Sequence, residues 1–224
     1  MLKIVADSGC DIRKEQVENE GCVFESVPLN LHVEDRVYVD DENINVEEFL
    51  KDMENSPVVA KTASPSPSLF LEKFKEMESV FVITLSSKLS GTYQSAMTAK
   101  KMYFEEYGKK FIHIFDSLSA SIGEGLIAMK IVECAKKGFD NREIVEQVSH
   151  FIKGMRTYFL LEKFDTLVKS GRMNPYIAKI ASMLNIRPIC GENGAGEIKM
   201  LDKARGHGKA VKRLIEIIKA NTPD

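Results

Sequence analysis

The chain has 224 residues, 44% hydrophobic and 29% charged, and its 31 Lys and Arg against 33 Asp and Glu give a formal net charge of −2. That balance gives no electrostatic reason to expect nucleic acid or an anionic membrane as partner, and no apolar run approaches the roughly 20 residues of a membrane span. The length allows one large or two modest domains with a sizeable buried core. The opening MLKIVADSGCDI reads as a strand, not a signal peptide, with LKIVA leading into the polar loop DSGCD. Cys10, Cys22, Cys134 and Cys190 are scattered without a CxxC pair. Reduced thiols in a bacterial-type cytoplasm are therefore expected, with no disulfide framework and no metal site. KTASPSPSLF follows, where Pro65 and Pro67 force an extended entry, Ser66 caps a helix, and Phe70, Leu71 and Phe74 anchor it.

SVFVITL then leads into SSKLSGTYQSA, and FIHIF leads into DSLSASIGEG. Apolar β-rich runs ending in small polar residues that open helices predict α/β architecture with a mostly parallel sheet. Asn141 begins a helix with Ile144, Val145, Val148, Phe151 and Ile152 on one face. A second organisation starts near Arg156, so the boundary is placed near residue 153, giving domains 1–153 and 154–224. RTYFLLE reads as a strand, KFDTLVKSG as a short helix closed by Gly171, and Asn174–Pro175 as a helix start. RPICGENGAGEIKML reads as a hairpin, and a last helix runs from about Gly208 with Val211, Leu214, Ile215 and Ile218 as its apolar face.

In an open α/β sheet, ligands bind beyond the carboxyl ends of the strands. Three loops converge there, and all carry hydroxyls or Asp: Asp7–Ser8, Ser86 to Thr92, and Asp116 to Ser121. Ser8, Ser64, Ser86, Ser117 and Ser121 are candidate pocket-lining residues, although Ser and Asp are also the preferred helix caps. Ser90, as N-cap, and the amides after Gly91 make the best anion donors, because a helix N-terminus has free N–H groups and a positive dipole end. Thr62 lies outside any cap, and the plain reading for it is a surface loop. IGEG resembles a phosphate loop only weakly. Arg172 directly follows a helix-ending glycine, and Arg205 and His207 form a small basic turn. Catalysis has little support: there is no GxSxG elbow, and neither His32, His113, His150 nor His207 stands at an interpretable distance from a serine.

Taken together, VADSGCDI, TASPSP, SSKLSGTYQSA, DSLSASIGEGL and LVKSGRM resemble, in order and over the whole chain, the motifs of the DegV family of bacterial lipid-binding proteins. Ala63 stands for a usual serine and Ser170 for a usual glycine. The resemblance implies a Rossmann-like N-terminal α/β/α domain and a smaller C-terminal α/β domain with a mixed sheet. It further implies one long-chain fatty acid, such as palmitate or oleate, held between them. By motif position, Thr62 and Ser90 hold the carboxylate, with the Gly91–Thr92 amides and Arg172 close by. Some family members serve as the acyl-carrying subunit of fatty acid kinase, which implies a carrier without cofactor or active site of its own and an ATP-binding partner docking near Arg205 and His207. The family continues with further strands and a late H-x-G-P-G type segment, so relative to it the C-terminal domain is expected to be truncated. Two other classes stay open: a serine-dependent hydrolase using Ser90 or Ser87, and a binding module for a small phosphorylated ligand.

Overall fold

The computed structural model describes residues 1–19, 21–181 and 184–221, and the chain divides into two compact units, Met1–Met155 and Arg156–Asp224. The first unit runs β1 (Leu2–Asp7), α1 (Lys14–Val17), β2 (Cys22–Val27), β3 (Asn30–Val33), β4 (Arg36–Val39), α2 (Val46–Asn55), β5 (Lys61–Ala63) and α3 (Pro67–Phe74). It continues with β6 (Ser79–Thr84), α4 (Thr92–Tyr107), β7 (Phe111–Asp116), α5 (Ile122–Lys136) and α6 (Asn141–Gly154).

A parallel sheet in the order β2-β1-β6-β7 forms its centre. Successive residues of a strand face opposite sides, and here both sides are buried. Ile4, Ala6, Phe81 and Ile83 pack with Ile127, Ile131, Ile144 and Val148 of α5 and α6. Val5, Val80 and Val82 pack on the other side with Phe70 and Phe74 of α3 and Ala96 and Ala99 of α4. The result is a three-layer α/β/α unit. The chain steps outward from β1 to β2 on one side and from β6 to β7 on the other, so strand order reverses between β1 and β6, where a crevice is expected beyond the carboxyl ends. α6 begins at a full capping box, Asp140 accepting from the amides of Arg142 and Glu143 while Glu143 reaches back.

The same unit holds a small antiparallel sheet, β4-β3-β5, that the sequence reading did not resolve. Its strands have four and three residues, too short to show a period. Tyr38 packs edge-on against Phe49 of α2 at 5.4 Å, and Arg36 and Tyr38 both reach Asp52 at 2.5 Å. Thr62, read as surface loop, is instead paired with Leu31 in this sheet.

The second unit runs β8 (Tyr158–Phe159), α7 (Asp165–Lys169), α8 (Pro175–Ala181), β9 (Ile186–Glu192), β10 (Ile198–Arg205) and α9 (His207–Asn221). The hairpin and the three helices match the reading, with Gly171 at φ +75° after α7 and Asn174 Oδ1 accepting from the Tyr176 amide at 2.9 Å. RTYFLLE, read as one strand, pairs only over Tyr158–Phe159. The expected mixed sheet is antiparallel among the described strands, in the order β10-β9-β8. The reason is local: a hairpin supplies two strands, and β8 pairs with β9 over only two residues. Phe164, Met173, Ile177 and Cys190 form the core of this unit.

Candidate functional site

Asp7, the last residue of β1, is buried and accepts from the amides of Gly9 at 3.0 Å and Leu85 at 2.8 Å. Asp116, the last residue of β7, accepts from the amides of Ser87 at 3.0 Å and Leu118 at 3.2 Å. The strands on either side of β6 thus each end in a carboxylate that braces the loop leaving β6. The Ser86 amide adds a third tie, to the Ser119 carbonyl at 2.9 Å. Burial pushes the Asp7 carboxyl up to about 6, although the Leu85 and Gly9 amides pull the other way. Both aspartates begin loops expected to converge on the crevice, and their bonds make them scaffolding for those loops.

Of the hydroxyls grouped as pocket lining, four already have partners elsewhere in the first unit. Ser8 Oγ donates to Asp40 at 2.7 Å and accepts from the Leu29 amide at 3.0 Å. Ser86, fully buried, accepts from the Lys88 amide at 3.2 Å. Ser117, also buried, donates to the Ser119 carbonyl and accepts from its amide, both at 3.1 Å. Ser121 Oγ donates to Asp11 at 2.5 Å. The Ser86 and Ser117 bonds are the short side-chain-to-backbone closures that Ser favours in turns, whereas Ser8 and Ser121 tie together segments far apart in sequence. Only Ser64 is placed otherwise: it is exposed, with Oγ 3.1 Å from where a Cβ on Gly91 would stand.

The N-terminus of α4 differs. Its N-cap is Gly91, not Ser90 as expected, and no side chain caps it. Ser90 lies one residue further out, its Oγ 2.8 Å from the buried Thr92 Oγ1 and 3.3 Å from the Thr92 amide. The first turn of α4 carries no acidic residue, so no carboxylate offsets its dipole, and the Thr92 amide is met by the long bond to Ser90 Oγ. Residues 62–65 are pinned against this end: Ser95 Oγ of α4 donates to the Pro65 carbonyl, and Ser64 lies over Gly91. Thr62 is exposed two residues before Ser64.

In the second unit, Arg172 Nη1 donates to the Ser170 carbonyl at 3.0 Å. Arg205 ends β10 and His207 opens α9, both exposed on either side of Gly206 at φ +82°. His207 is thus the first residue of a helix, where a turn was expected. The other histidines offer no base to a serine. His113 is a β7 residue pushed down to about 4 by burial and by Lys100, and His150 is exposed on α6. Burial pushes the Cys10 thiol well above its ordinary range, which removes it as a nucleophile. Among the described residues, no three His, Cys, Asp or Glu are placed to hold a metal ion.

Sequence reasoning missed Glu124, in the first turn of α5, which is fully buried. A signal was present: Glu124, Ile127, Ala128 and Ile131 share one helical face, and the last three are core residues.

The model of the family described as "Uncharacterised protein, DegV family" matches residues 1–224. A DegV domain-containing protein of Streptococcus pneumoniae is 35% identical over 219 residues, covering 97% of this chain and 78% of the relative. A solved DegV family protein from Ruminococcus gnavus, refined with vaccenic acid, is similar at TM-score 0.92 and 40% identity, over 100% of this chain and 79% of that one. The fatty acid kinase B3 protein of Streptococcus pneumoniae, solved with linoleic acid, is similar at TM-score 0.91 and 35% identity, over 98% of this chain and 78% of that one.

Proposed function

The chain belongs to the DegV family, and we propose that it binds one long-chain fatty acid, such as palmitate or oleate, and presents the carboxylate to an ATP-binding kinase subunit. One observation carries the reading: α4 begins without a side-chain cap or an acidic residue, at a mouth furnished by the Ser90–Thr92 hydroxyl pair and faced by Ser64. Such an end favours an anion. In this reading Thr62 and Ser90 donate to the carboxylate, with the Gly91–Thr92 amides and Arg172 as its further binding groups. The ligands of the vaccenic-acid and linoleic-acid relatives support the ligand class.

Ser90 is hydrogen-bonded to a threonine hydroxyl and not to a base, which disfavours the hydrolase. A kinase reaction needs a nucleotide cradle and a metal held by carboxylates; the chain carries no GxxxxGK[ST] motif, so the partner supplies both. Arg205 and His207 form the docking rim. Changing Arg205 to Glu then slows partner-dependent phosphorylation while leaving fatty acid affinity nearly unchanged, because a rim charge steers association.

Native mass spectrometry of the purified protein tests the reading. A co-purifying mass in the fatty-acid range is the expected result; bare protein with esterase turnover contradicts it. In a second arm, oleate or palmitate with ATP and Mg²⁺ but no partner yields no acyl phosphate. Its appearance, with contaminating kinase excluded, makes the chain an enzyme.

A further inference from the structure

Among the described residues, the buried side-chain polar atoms that lack a hydrogen-bond partner are the two carboxyl oxygens of Glu124. An ionised carboxylate left that way, away from water, is costly; a buried acid takes up a proton instead. The surroundings reinforce this. Asp7 of β1, itself fully buried, and Asp11 of the following loop both bear on Glu124 with like charge. Cys10, the other titratable group there, is held as the neutral thiol. The Ser121 backbone lies close enough to favour ionisation but outside hydrogen-bond geometry, and burial and the two aspartates outweigh it. Among the described residues, the elements packed on α5 bring no compensating cation inward. α1 turns in Val17 while Lys14 pairs with Glu18 at the surface. α6 turns in Ile144, Val148 and Ile152, with Arg142, Glu143, Glu146, His150 and Lys153 exposed.

The seat is tight. Gly125 packs on Ile12, where a Cβ would lie 3.2 Å from the Ile12 Cβ, and Gly123 packs on Ser119 more closely still. Ser121, just before α5, holds φ +61° and ψ −131°, and Leu118 holds φ +53°. A side chain other than glycine rarely occupies such backbone unless its surroundings enforce it.

We propose that Glu124 is a proton-binding site: it sits in the fold as a neutral carboxylic acid, and its ionisation releases the N-terminus of α5 from the loops after β1 and β7. Because the native state holds the proton more tightly than the unfolded chain, the stabilisation is complete at acid pH and is lost as pH rises through the native value. The inference is independent of any fatty acid.

Infrared difference spectroscopy of the wild type against Glu124→Gln at about pH 7 reads the proton directly. A protonated-carboxyl C=O band present in the wild type and missing from the variant is expected. A second readout is the melting temperature between about pH 7.5 and 9, above the range in which Asp7 titrates. It should fall more steeply in the wild type than in Glu124→Gln. Hydrogen exchange in residues 8–12 and 117–125, corrected for its intrinsic pH dependence, should quicken over the same range in the wild type only. Should Glu124→Gln not fold, pH titration of the wild-type infrared band still decides. Parallel melting curves, or no protonated carboxyl in the wild type at about pH 7, overturn the proposal.

Discussion

Two long helices of the first unit, α4 and α5, leave the same parallel sheet from serine-rich turns, after β6 and β7. Neither N-cap makes a side-chain cap bond, but the two N-termini are packed differently. α5 is closed: Gly123 and Gly125 let it press on Ser119 and Ile12, Ser121 is tied to Asp11, and Glu124 places a carboxyl in its first turn. α4 is open: Gly91 caps it without a side chain, its first turn has no acid, and the Ser90–Thr92 pair stands at its mouth. Serine density therefore does not mark a binding site. What separates the two ends is what packs on them: the buried Ser119 and half-buried Ile12 on α5, the exposed Ser64 on α4.

The largest expected effect concerns the closed side. Burial raises the Asp7 carboxyl from 3.8 to about 6, so the native state binds that proton more tightly than the unfolded chain. Its contribution is whole below about pH 4 and lost as pH rises through about 6, a change of roughly 3 kcal/mol. Denaturation midpoints of the wild type should carry this slope between about pH 4 and 6, and Asp7→Asn should flatten it. A wild-type curve as flat as the variant's would break the assignment.

Next comes Gly123→Ala. The new Cβ would fall on Ser119 Oγ and 2.8 Å from Ser119 Cβ, inside a buried loop. Overpacking of this kind costs about 2 kcal/mol, measured as a lowered urea midpoint. At neutral pH, Asp7→Asn has a smaller net effect. Removing a buried charge helps, but Asn has one acceptor oxygen where Asp7 uses both, one for Gly9 and one for Leu85, so a net loss of about 1 kcal/mol is expected. Smallest is Gly91→Ala, on the open side. Its Cβ would meet only the exposed Ser64 Oγ at 3.1 Å, and a surface side chain can rotate away, so the change in stability stays within about 0.5 kcal/mol. A Gly91→Ala variant as unstable as Gly123→Ala would erase the contrast between the two helix ends.

The parallel sheet and its helices were legible because their cause is local. Runs such as SVFVIT must be buried on both faces, and 3.6-residue spacing in residues 141–154 shows which side faces the core. The β4-β3-β5 sheet was not, since strands of three or four residues carry no readable period and their pairing is non-local. At the site, the residue types were legible and their partners were not. Ser8 is occupied by Asp40, thirty-two residues away, and Leu85 by Asp7, seventy-eight away. No spacing rule reaches across such distances. Glu124 was passed over for a different reason: IGEG was weighed as a loop motif when its register belonged to a helix face.

The proposal for the open helix end reduces to one measurement: the equilibrium affinity of a fluorescent long-chain fatty acid for the wild type, Thr62→Ala and Ser90→Ala, with melting temperatures taken on the same samples. Each hydroxyl donating to the carboxylate contributes roughly 1.5–3 kcal/mol, so each variant should bind about 10- to 100-fold more weakly while still melting cooperatively. Wild-type affinity in both variants would contradict a carboxylate held at the N-terminus of α4.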